Sequence, residues 1–237
     1  MRSPTCADSG SLGTMVVPVH LRATLGYRST STLAEIQREV EAYDYKRAFD
    51  TIAILPNEVA LDSPTGSLRI STKSAFFSAA GEFTDSPTIA AAFDILERAK
   101  VGPVVHIRPT VYFAAEVKGC DLAALLQTHI EMLSFPGFDI GALGRIADTA
   151  VVFSLDGPEE IGTFNVQYGP MGRNQWGVFG GPEAEAIEDS LPAVAWGVGF
   201  FYPGASPRFR LTITEARERL LGMVNDWRNM ASKFIVL

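Results

Sequence analysis

Residues 18–27 read PVHLRATLGY and residues 104–113 read VVHIRPTVYF, so that His20, Arg22 and Thr24 in the first segment recur in register as His106, Arg108 and Thr110 in the second. The echo continues downstream. DTIAIL at 50–55 is answered by DTAVVF at 148–153, and GSLRIS at 66–71 by GTFNVQ at 162–167. Two related halves follow from this. Both segments alternate as strands do: Val17, Val19, Leu21, Ala23 and Leu25 share one face and His20, Arg22 and Thr24 the other. In the second segment His106, Arg108, Thr110, Tyr112 and Glu116 oppose Val105, Ile107, Val111 and Phe113.

Working outward from each segment, a helix comes next. Thr32 and Glu35 form a capping box before a stripe of Leu33, Ile36, Val40 and Tyr43. In the second half a helix starts at Asp121 with Leu122, Leu125, Leu126, Ile130 and Leu133 as its apolar stripe. Short strands punctuated by proline and glycine turns follow in both halves, among them 51–55, 59–62, 67–72, 149–155, 162–168, 193–202 and 208–213. Ser86 ahead of Pro87 starts the helix that ends the first half, since proline has no amide to leave unpaired there. A terminal helix closes the second, with Ala216, Leu220, Leu221, Val224, Trp227, Ala231 and Phe234 on one face.

The expected fold class is therefore α+β: two diverged strand-helix-strand-strand-helix repeats about a pseudo-two-fold axis, with antiparallel sheet and helices packed on one face. Residues 1–14 read as a disordered tail, 15–101 as the first repeat, and 102–237 as the second with insertions at 137–147 and 169–205. The two repeats can share one compact domain. The order is similar to that of tandem strand-helix-strand-strand proteins such as the ligand-binding domains of some bacterial regulators, a likeness of topology alone.

Composition narrows the function classes. Of 237 residues, 47% are hydrophobic and 20% charged, which is ordinary for a globular chain, and the net charge of −7 argues against phosphate-neutralising nucleic-acid binding. No apolar run approaches a membrane span, because the longest is broken by Pro192, Gly197 and Gly199. Two cysteines, Cys6 and Cys120, imply no disulfide framework, and a reducing cytoplasm is the expected location. The apolar end at 234–237 makes a homodimer an expectation.

The candidate site is the polar face of the paired strands. Two guanidiniums and two imidazoles at a seam favour an anion, since arginine offers a planar fork matched to carboxylate or phosphate. His20, Arg22, Thr24, His106, Arg108, Thr110, Tyr112 and Glu116 are the expected ligand-binding residues. Arg173 and Trp176 join them from the glycine-rich stretch 169–181 (GPMGRNQWGVFGG), a long loop placed to lid a central pocket. That stretch lacks the Gly-Lys-Ser/Thr ending of a phosphate loop, and no helix clearly follows it.

The competing reading of each feature is structural. Antiparallel sheets keep one solvated polar face. His20, His106 and Glu116 are weak metal ligands beside two arginines, and His129 reads as a core or boundary histidine. Cys120 at a helix start lacks a partner base, and Asp50 and Asp148 stand where aspartate caps turns. No motif fixes a reaction, so no catalytic residue, cofactor or metal is assigned. The expectation is a non-catalytic binding protein with a small-molecule or protein-partner site at the seam. The alternatives are an enzyme acting on a small anion, with His20 or His106 as acid/base and Arg22 and Arg108 as clamps, or a structural or assembly protein. Convergence of the two histidines on one pocket would distinguish the enzyme.

Overall fold

The repeated segments become β1 (Val16–Tyr27) and β6 (Val104–Glu116), which pair with each other antiparallel. Their neighbours are β2 (Thr51–Ile54), β3 (Val59–Ser63), β4 (Gly66–Ile70), β5 (Ser74–Ala80), β7 (Val151–Asp156), β8 (Thr163–Gly172) and β9 (Val194–Phe201). All nine form one antiparallel sheet of order β2-β3-β4-β5-β1-β6-β9-β8-β7. The structure, a computed structural model, describes residues 16–133, 150–157, 162–202 and 208–234. The expected N-terminal tail, the 137–147 insertion and Cys6 lie outside the described residues, as does the chain's apolar end.

Four helices bury one face of the sheet. In α1 (Leu33–Ala42) the capping box is present: Glu35 N–H donates to the Thr32 hydroxyl and Thr32 N–H to the Glu35 carboxylate, at 3.3 and 2.7 Å. Helix α2 (Pro87–Arg98) starts on Ser86, whose hydroxyl accepts from Ile89 N–H. Helix α3 (Leu122–Met132) buries only Leu125 and His129, so the leucine stripe expected there is half-exposed at Leu122, Leu126 and Ile130. The last long helix, α6 (Ile213–Phe234), inserts Ala216, Leu220, Met223, Val224, Trp227 and Ala231. Trp227 stacks on Phe200 of β9 at 5.4 Å, and Phe200 meets Phe113 of β6 edge-to-face at 6.0 Å. A chain of aromatic contacts thus ties α6 to the centre of the sheet.

The opposite face is where expectation and structure part. Helices do not pack on one face only: α4 (Trp176–Gly180) and α5 (Pro182–Glu185) cross the other, on a second core of Val19, Ala114, Met171, Trp176, Ala184, Leu191 and Ala195. Stretch 169–181 is accordingly not a plain loop. Its first residues complete β8, and its last form a helix. Likewise 208–213 is not a strand; it meets β6 through a bridge from Leu211 to Val104 and a bond from Phe209 N–H to the Val105 carbonyl. Cys120, ahead of α3, is disulfide-bonded, so the free thiol a nucleophile requires is absent and the expectation of no disulfide is corrected.

A bulge in β1 makes the second core possible. Pro18 faces Phe113 and His20 faces Tyr112, which leaves Val19 as the extra residue. Before the bulge Val16 points to the helix-covered face; after it Leu21, Ala23 and Leu25 do. Val17 and Val19 therefore share the face of His20 and Arg22, against the unbroken alternation expected from the sequence.

Candidate functional site

On this second face the register sets residues in pairs. Arg22 lies opposite Thr110 and Thr24 opposite Arg108, while His20 faces Tyr112 and His106 faces Gly26. On the other side of β1, Arg22 faces Ser78 and Thr24 faces Phe76 of β5. Arg22, Thr24, Arg108 and Thr110 line an open concavity of about 330 Å³ together with Phe76, Tyr202 and the paired strand residues Ala23 and Pro109. Among the described residues no carboxylate lines it. Arg108 is exposed, whereas Arg22 is half-buried and its Nη2 donates to the Gly180 carbonyl at the end of α4, at 3.0 Å.

One step along β1 from this concavity is a buried polar cluster. Ser78 and Ser67, opposite each other on β5 and β4, both donate to Glu183 Oε1 of α5, at 2.6 and 3.1 Å. His20, fully buried, brings Nε2 to 3.4 Å from Ser78 Oγ and 3.9 Å from Glu183 Oε2. Since the Ser78 proton goes to Glu183, the serine can only accept from His20, which places the imidazole proton on Nε2. Burial, and then the nearby Arg22 charge, pull the His20 pKa down to about 4 against a smaller opposing pull from Glu183. The ring is neutral at pH 7 and its approach to Glu183 is not an ion pair. Burial alone would raise Glu183, but its bonds from Ser78, its own amide and Ser67, with the His20 charge, hold it below the ordinary carboxylate range.

Ser78, His20 and Glu183 are the residue types of a nucleophilic triad in an arrangement that cannot work as one. A triad places serine on one imidazole nitrogen and the carboxylate on the other, so that the base can take the serine proton. Here both oxygens approach Nε2, Nδ1 has no partner among the described residues, and Ser78 is 1% exposed. The cluster holds α5 to the sheet.

The expected residues divide accordingly. Arg22, Thr24, Arg108 and Thr110 come together in the concavity. His20 lies outside its lining, in the buried cluster. His106 packs its ring where Gly26 leaves room for it, and burial, followed by the Arg108 charge, lowers its pKa. His20 and Gly26, which marks the His106 position, are six residues apart on β1, or about 20 Å at ordinary strand rise. Tyr112 packs flat against Gly199 of β9, and Glu116 reaches Lys118 at 3.9 Å near the far end of β6. Trp176 is fully buried in the second core and Arg173 is exposed in the turn before it. None of these lines the concavity.

Phe76, Ser67, Ser78 and Glu183 were not singled out as site residues by sequence. Phe76 was detectable from alternation in SAFFSAA (Ser74–Ala80), where Phe77 takes the core side and Phe76 the other. Among the described residues no three His, Cys, Asp or Glu side chains gather as a metal site, and no helix is long and apolar enough to cross a membrane. No protein-family model matches the chain, and no curated protein matches it either.

Proposed function

We propose that this chain is a non-catalytic binding protein whose ligand, a small anion, occupies the concavity at the β1–β6 seam. One observation carries the reading: in a chain of net charge −7, two arginines and two threonines line a concavity that no carboxylate among the described residues lines. Two cations gathered in one concavity of an acidic protein attract anions to that spot rather than to the surface at large. The volume, about 330 Å³, sits near the lower end of the range for small-molecule sites.

The seam also reads as the junction of two diverged repeats. Outward from it the strands run β1-β5-β4-β3-β2 on one side and β6-β9-β8-β7 on the other, each half opening with the strand that carries His, Arg and Thr. Arg22 against Thr110 and Arg108 against Thr24 is the pairing that a local two-fold between Ala23 and Pro109 would generate. The enzyme reading loses its support because the two histidines do not meet, and the buried one has no access to the concavity.

The test is thermal stabilisation of the protein by acetate, succinate or inorganic phosphate at low, fixed ionic strength, where surface charge is least screened. At least one should raise the unfolding temperature of the native chain, and replacing Arg22 and Arg108 together by alanine should remove that rise while leaving a cooperative unliganded transition in place. An equal rise in the variant ends the reading. Native mass measurement of the same samples reports any co-purifying anion and whether the chain is a dimer.

A further inference from the structure

Resting on that reading, we infer that the ligand is a two-ended dianion, an α,ω-dicarboxylate in chemical class, with one end on Arg22 and the other on Arg108. The arginines are not opposite each other. Each faces a threonine, so they occupy diagonal positions across the ladder, where Cα atoms stand roughly 7–8 Å apart. That offset separates two cationic centres within one concavity, and a single carboxylate cannot meet both forks bidentately. A ligand with two anionic groups can.

The two ends differ in how they are held. Arg22 is anchored, because its Nη2 is already bonded to the Gly180 carbonyl and its guanidinium packs against Gly181. The Glu183 carboxylate approaches the same Gly181, so an anion meets Arg22 on the N–H groups turned away from Glu183. Arg108 is exposed and has no carboxylate within ion-pair distance among the described residues, so it is free to swing onto the second group. Thr110 beside Arg22 and Thr24 beside Arg108 each add a hydroxyl donor to the nearer end. Phe76, which faces Thr24 from β5, gives the concavity an apolar wall, which suits a methylene spacer and not a third charge.

The experiment ranks anions by calorimetric titration of the intact protein at constant ionic strength: acetate, inorganic phosphate, succinate, glutarate and adipate. The best dicarboxylate is expected to bind at least about tenfold more tightly than acetate or phosphate, the equivalent of roughly one added charge-assisted contact. In Arg108→Ala that advantage should shrink to about two- to threefold, with acetate affinity nearly unchanged through Arg22. Acetate or phosphate binding as tightly as every dicarboxylate in the native protein would overturn the dianion while leaving an anion site standing. Binding of none of the five overturns the anion site itself, and the dianion with it. A dicarboxylate advantage that survives Arg108→Ala removes Arg108 from the second end and also overturns the proposal.

Discussion

His20 is buried at the centre of a sheet, neutral, with one nitrogen unpaired among the described residues, and its surroundings decide how the molecule responds to acid. Its pKa lies near 4 in the folded chain against 6.5 for a free imidazole. Between those values the unfolded chain binds a proton that the folded one refuses, so stability falls as pH drops from 6.5 toward 4 and is fully present above 6.5. The displacement corresponds to about 3 kcal/mol at most. Glu183, held low by its serines and amide, weakens the fold in the same direction as it is protonated at lower pH. Urea unfolding at pH 7 and pH 4.5 should show a smaller difference for His20→Asn than for the native chain; an identical difference would clear His20 of the effect. Gly181 is a second residue with a single permitted identity. Its φ of +73° is open essentially to glycine alone, and a Cβ there would fall 2.4 Å from Arg22 Nη2. Gly181→Ala should lower the unfolding free energy by about 1–3 kcal/mol. By displacing Arg22 it should also weaken anion binding, which calorimetry would record.

At the scale of elements, the α4–α5 strap is the piece that sequence reading handled least well, for a physical reason. Helices of five and four residues are too short to show a helical period, and glycines in this stretch look like loop residues. They serve close approach instead: a Cβ on Gly180 would strike Ala184, and one on Gly197 beneath the strap would strike Met171. Ser67 and Ser78 were illegible for another reason, since a serine on a strand says nothing until register aligns it with a partner on the next strand and a glutamate over 100 residues away. The β1 and β6 strands, by contrast, could be read directly because they alternate and repeat; of the ten residues expected at the site, the four that line the concavity come from them. The strap is held by Trp176 in an apolar core and by Glu183 on two hydroxyls. Trp176→Ala should cost about 3–5 kcal/mol. Glu183→Ala should leave the sheet amides protected but accelerate hydrogen exchange across residues 176–187. Unchanged exchange there would mean that the cluster does not hold the strap.

Across the whole molecule, the two longest of the central strands meet in the middle of the sheet, and the core on the helix side runs unbroken from α1 and α2 to α6. Cutting the chain at Gly102 would turn β1 and β6 into bare edges of 12 and 13 residues and uncover Phe113 and Leu21. Fragments 1–101 and 103–237 should each give poorly dispersed amide spectra alone and recover native dispersion when mixed. The expectation of two halves said nothing of how they would join, because pairing between strands separated by more than 70 residues depends on both hydrophobic faces at once. The bulge at Val19 bears on this larger scale. One strand serves two hydrophobic cores on opposite sides of the sheet, and the surplus residue is the phase shift that lets it change allegiance partway along its length. Shortening the chain there by a single residue would take Val19 out of the second core and also set Pro18 and Val16 out of step with the residues that follow. Deletion of Val19 should therefore be worse tolerated than any replacement of it, and a survey of tolerated insertions and deletions along β1 would find its sharpest boundary at that position.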